Sequence, residues 1–188
     1  MNNQLITPII QRFSPLIFSD KKVTQEQLDT LILAASWSAS AFNHQPWKFL
    51  YEFRETEGFE ILHSLLTDYN KQWTEHAPIL MLGLARHLDE KGRENYHAMY
   101  DLGQAVSAMA IQASAMSMQI HQMGGFDMKK ATEILHIPSE YVPGAMIALG
   151  FPGDVSLLEE PFLGRATAER TRKSLNEISG NTKLFAGG

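Results

Sequence analysis

Residues 38–49, SASAFNHQPWKF, are the stretch on which the reading of this chain turns. Two serines, an Asn, a His, a Gln, a Pro and a Trp fall within ten residues there. The stretch follows a helical pattern and precedes a strand-like one. Amides such as Asn43 and Gln45 offer both donors and acceptors, which suits the edge of a heterocycle or a hydroxylated chain. Upstream, Thr24 with Gln27 three residues on has capping-box spacing, and Leu28, Leu31, Ile32 and Ala35 mark one helical face. Downstream, WKFLYEF at 47–53 is rich in β-formers and predicts a strand.

Further outward, GFEILHSLL (58–66) predicts a helix and PILMLGLAR (78–86) a buried strand. A long helix is expected over 95–118, a short one from Asp127, and a third buried strand, GAMIALGF, over 144–151. The last 35 residues read as irregular with helical patches. Strands separated by helices predict an α/β or α+β sandwich. No repeat, linker or low-complexity tract divides it, so a single domain over 1–188 is expected. The long helix is rich in small residues, among them Ala98, Gly103, Ala105, Ser107 and Ala110, with Met99, Met109, Met116 and Met118 as adaptable fillers. This suits a core helix, and also a face that packs on a second copy of itself.

Composition narrows the chemistry. The chain has 188 residues, 44% of them hydrophobic, and a net charge of −5, which argues against nucleic acid as main partner. The absence of cysteine excludes disulfides, thiolate nucleophiles and Cys-ligated metals. The N-terminus lacks the pattern of a signal peptide, and the apolar runs are too short to span a membrane, so a cytoplasmic protein is expected. The seven histidines show no H-x-x-x-H spacing, so no metal is expected. No G-x-S-x-G, Walker loop or G-x-G-x-x-G is present.

What remains is a series of polar clusters at segment junctions: QRFS with Arg12 and Ser14, the 38–47 stretch, YNKQW with Asn70, HQMGGF with Gly124 and Gly125, and ERTRKS with Arg170 and Arg172. Two arginine groups with a serine have the chemistry to hold a phosphate. Taken singly, each cluster reads more readily as a surface arginine, a turn or a core anchor than as a binding site.

In order along the chain, the clusters resemble the nitroreductase family of flavin oxidoreductases. QRFSPLIFSD is similar to that family's Arg-x-Ser opening, and SASAFNHQPW to its Pro-Ser-x-x-Asn-x-Gln-Pro-Trp motif. YHAMYDLGQA resembles its central helix, while HQMGGFD, AMIALGFPGD and RTRKSLNEI resemble its later segments. The resemblance runs over residues 10–178. It implies an α+β sandwich with a central, mostly antiparallel sheet and a long helix at a homodimer interface. It also implies non-covalently bound FMN, NADH or NADPH as donor, and a small conjugated electron acceptor such as a nitroaromatic or quinone.

By position, Arg12, Ser14, Arg170 and Arg172 would hold the FMN phosphate, with a contact from Phe13. Ser38, Ala39, Ser40 and Asn43 would approach the flavin, partly from the other subunit, with Gln45 as a polar neighbour. Asn70 would face the pyrimidine, and Met123, Gly124 and Gly125 would lie near flavin N5. The chain departs from the pattern at three points. Leu16 stands where a basic residue is usual, which would lower the flavin potential unless another group such as Lys71 substitutes. Ala39 stands for the motif proline. The tail from residue 178 lacks the usual Trp-Gly ending. A flavin binder with little reductase activity, and a dimeric scaffold without flavin, are the other readings.

Overall fold

The computed structural model describes residues 5–182. At its centre is a four-stranded antiparallel sheet in the order β1-β2-β4-β3. The strands are β1 (Trp47–Phe53), β2 (Ile79–Arg86), β3 (Gln119–Met123) and β4 (Tyr141–Gly150). β2 and β4 are central, which explains their nearly unbroken apolar sequences: both faces of each are covered. Side-chain alternation sorts β2 between two cores. Ile79, Met81 and Ala85 point to one face, Leu80, Leu82 and Leu84 to the other, with a register irregularity at Gly83/Leu84.

The first core packs the sheet on α2 (Gln25–Ser36) and α5 (Ala98–Ala115). Leu28, Leu31 and Ala35 of α2 are fully buried against Ala105, Val106 and Met109 of α5. The Thr24 capping box is present: Gln27 N–H donates to Thr24 Oγ1 (3.2 Å) and Thr24 N–H to Gln27 Oε1 (3.0 Å). The second core gathers α3 (Glu57–Ser64), α4 (Asp68–Thr74) and α6 (Met128–Ile134), with Leu16 and Phe18 of the N-terminal segment. Thr56 caps α3 and Asp127 caps α6 through side-chain oxygens. The chain is therefore α+β, with helices on both faces of an antiparallel sheet.

Three expectations need correction. The long helix is shorter than 95–118, because it starts at Ala98, after a turn at residues 96–97, and Met116 caps the end. The third buried strand begins at Tyr141 rather than at 144. Gln119–Met123 forms a strand, β3, that its polar residues conceal: Gln119 is buried because it bonds a neighbouring segment. Short helices α1 (Thr7–Gln11), α7 (Phe162–Thr167) and α8 (Leu175–Ile178) complete the fold. The Gly187-Gly188 pair lies outside the described residues.

Candidate functional site

Strand β3 builds the first part of the site. Its Gln119 side chain clamps the segment after α1, accepting from Phe13 N–H (3.0 Å) and donating to the Gln11 carbonyl (3.4 Å). Two residues on, His121 donates from Nδ1 to the Pro15 carbonyl at 2.8 Å, because a carbonyl can only accept. The segment so fixed carries Arg12 and Ser14, whose side chains meet at 3.5 Å. The distant Arg170 arrives on the same segment, donating to the Arg12 carbonyl (2.8 Å) and the Ile10 carbonyl (3.3 Å). Partial burial, then Arg170 and Arg172, push the Arg12 pKa down. Three guanidinium groups therefore crowd together, and none of the ion pairs found among the described residues includes any of them. Such a cluster is self-repelling until an anion enters, and a phosphate with several acceptor oxygens suits it.

The second part surrounds the turn after β3. The Gly125 carbonyl accepts from Asn70 Nδ2 (3.0 Å) and from Thr67 N–H (3.0 Å), while Asn70 Oδ1 accepts from Trp73 Nε1 (3.3 Å). Asn70 is thus fixed, with one amide hydrogen unassigned. A Cβ on Gly125 would fall 2.6 Å from Asn70 Nδ2, whereas a Cβ on Gly124 would meet nothing within 4 Å. Gly124 therefore leaves an open approach to the backbone, beside the buried Met123. The His121 ring stacks on Trp73, centroids 4.4 Å apart. Burial foremost, with Arg165 and Arg12 nearby, lowers the His121 pKa although its bond to Pro15 opposes this. Leu16 is 4% exposed and belongs to the second core. Lys71 is engaged by Asp68 at 3.5 Å.

The third part is the loop after α2. Phe42, Asn43 and Gln45 all have positive φ (50°, 57° and 45°), a conformation uncommon for Phe and Gln. Several bonds hold it: Ala41 N–H donates to Asp101 Oδ2 (3.1 Å), Gln45 N–H to Ser40 Oγ (3.0 Å), and Asn43 N–H to the Ser40 carbonyl (3.0 Å). Over-determined strain of this kind clusters at functional sites. Ser38 is half-buried, and Ala39 and Asn43 are exposed.

The structure thus brings Arg12, Phe13, Ser14, Arg170 and Arg172 together, and Asn70 with Met123, Gly124 and Gly125. It sets the 38–45 loop apart from them. The loop is tied to Asp101 in the first turn of α5, whereas Gln119 lies just beyond that helix's far end. At about 1.5 Å per residue, the two anchor points are separated by roughly 20 Å of helix. Asp101, Gln119, His121 and Arg165 were not among the sequence-derived candidates. Only Asp101 had a usable signal, an acid among the apolar positions 98, 102 and 105 of one helical face.

The nitroreductase family model matches residues 9–57, which include the Arg12 segment and the strained loop. An FMN reductase (NADPH) from Bacillus subtilis is 28% identical over 174 residues, covering 83% of this chain and 68% of the relative. A solved structure described as an oxidoreductase containing FMN superposes with a TM-score of 0.90 at 27% identity, covering 97% of this chain and 93% of that one. A nitroreductase family protein from Streptococcus pneumoniae shares the fold, with a TM-score of 0.74 at 20% identity over 92% and 97% of the two chains. With the family model on its opening segment and an FMN-containing oxidoreductase's fold followed along nearly its whole length, the chain is similar to proteins of the nitroreductase family.

Proposed function

We propose that this chain is an FMN-dependent oxidoreductase that takes reducing equivalents from NADH or NADPH and passes them to a small conjugated acceptor. The observation that carries this reading is the Arg12, Arg170 and Arg172 cluster beside Ser14, which joins no ion pair among the described residues and has the charge and donors that an FMN phosphate requires. The FMN-linked relatives support it. Bound FMN would supply the redox chemistry, a ping-pong exchange of hydride with the donor and then of electrons with the acceptor. The chain's own task is placement. The arginines and Ser14 hold the phosphate end. Asn70 presents its remaining amide hydrogen to the pyrimidine edge, and the open backbone at Gly124 admits close approach near N5.

The acting unit in this reading is a homodimer. One chain keeps its strained loop and its arginine cluster at opposite ends of α5. Two copies related by a twofold axis across that helix would bring the loop of each to the arginines of the other. Met99 (48% exposed), Tyr100 (69%) and the unobstructed Gly103 on α5 provide an apolar and partly small face for it. No helix among the described residues is long and apolar enough to cross a membrane.

A second reading, a flavin binder that turns over slowly, is favoured by the absence of a free cation at position 16 and the engagement of Lys71 by Asp68. FMN titration with sedimentation of the loaded protein tests both the site and the assembly. Saturable binding of one FMN per chain, in a dimer, is expected. A monomer that binds no FMN would overturn the proposal.

A further inference from the structure

Arg86, the last residue of β2, is a half-buried cation without a side-chain partner among the described residues. Its backbone N–H donates to the Pro46 carbonyl at 2.7 Å. Its guanidinium joins no ion pair or hydrogen bond among the described residues, and Nε is fully buried without a partner. Apart from Ser114 Oγ, it is the only buried side-chain nitrogen or oxygen so left among them. The Nη groups, equally unbonded, therefore keep access to the exterior. An unsatisfied buried polar group is costly and calls for an explanation.

Arg86 lines an open cavity of about 610 Å³ between the strained loop and residues 88–97. Phe42 and Tyr96, 94% and 81% exposed, flank the same space together with His44 and His97. Three carboxylates and three cations line it, but they are unevenly placed. Asp89 accepts from Arg93 Nε (2.7 Å) and from the Lys91 and Arg93 N–H groups. Glu94 lies near enough to the Tyr96 hydroxyl to push its pKa up. Glu90 adjoins Lys91 in the chain, and no carboxylate among the described residues lies within ion-pairing distance of Arg86. The combination is a cation in want of an acid beside exposed aromatic faces, in a volume typical of small-molecule sites.

We propose that this cavity binds a planar aromatic carboxylate, with the carboxylate on the Arg86 guanidinium and the ring against Phe42 and Tyr96. Guanidinium and carboxylate are matched in charge and fork geometry. Because Phe42 and His44 belong to the loop that the proposed function brings to the flavin, the occupant is the electron acceptor; this last clause rests on that function.

The test compares 4-nitrobenzoate with 4-nitrobenzamide, its uncharged counterpart, by chemical-shift titration of the purified protein. The wild type is expected to prefer the carboxylate by about tenfold or more, as for one charge-assisted hydrogen-bonded pair. Arg86→Gln is expected to abolish the preference, and Phe42→Ala to weaken both compounds alike. Equal affinities in the wild type, or a preference that survives Arg86→Gln, overturn the site. Should Arg86→Gln not fold, the wild-type comparison decides. The acceptor clause is read from the ratio of kcat/KM for the two compounds, which should fall in Arg86→Gln in step with binding. FMN binding with an unchanged ratio overturns that clause alone. Failure to bind FMN overturns the proposed function and leaves the binding comparison valid.

Discussion

Replacing Arg12 by Gln should move two measurements in opposite senses. The variant keeps the side-chain stem and the Arg12 carbonyl that receives Arg170, but removes one charge from a cluster of three. In the FMN-free protein the guanidinium is partly desolvated and feels the charges of Arg170 and Arg172, and its bond to Ser14 is long, 3.5 Å. Its loss relieves repulsion, so the midpoint of thermal unfolding should stay level or rise. FMN binding should weaken. A hydrogen bond to a charged group contributes about 1.5–3 kcal/mol, and about 1.4 kcal/mol is a factor of ten in affinity. The dissociation constant should therefore rise roughly 10- to 150-fold. Added salt should narrow the gap between variant and wild type by screening the phosphate attraction. Scanning calorimetry of the FMN-free protein and fluorescence titration with FMN are the assays. A lower unfolding midpoint with unchanged FMN affinity would refute the reasoning, since it would make Arg12 a structural residue.

Gly124→Ala places its Cβ in open space and should leave the stability of the FMN-free protein within about 0.5 kcal/mol, yet weaken FMN binding measured by titration. Gly125→Ala, which drives a Cβ onto Asn70, should lower both stability and FMN affinity. Asp101→Ala removes the acceptor of the Ala41 N–H and should cost about 1–3 kcal/mol in denaturant unfolding, with faster amide exchange confined to the 38–45 loop. His121 has a folded pKa below its ordinary 6.5, so the unfolded chain binds the extra proton between the two values. Stability should be full above about pH 6.5 and decline as pH falls through the window beneath it. Denaturant unfolding of His121→Gln should show a flatter pH profile over that range, and an identical profile would exclude His121.

Local signals told most of the fold. The Thr24 box, the β-rich 47–53 run and the apolar β2 run lie where the structure has α2, β1 and β2. β3 was hidden because Gln119, buried, and His121, half-buried, are held by bonds to residues more than a hundred positions away, which no local pattern can register. α4 was hidden because DYNKQWT is short and polar, and only Trp73 and Thr74 are buried. Arg12, Ser14, Arg170 and Arg172 were legible as residue types in an order. Their crowding was not, since it depends on the segment after α7 folding back onto α1. The positive φ of Phe42 and Gln45 is likewise invisible, because neither residue favours it. Leu16 was legible as a departure, but its burial in the second core needed the structure.

The most direct measurement is anaerobic reduction of the FMN-loaded protein, followed by the visible flavin absorption. NADH or NADPH should bleach the band. After removal of the nicotinamide, a nitroaromatic or quinone should restore it, as a ping-pong sequence on one site requires. A flavin band that neither donor bleaches, or a protein that never acquires one, would contradict the assignment of this chain as an FMN-dependent oxidoreductase.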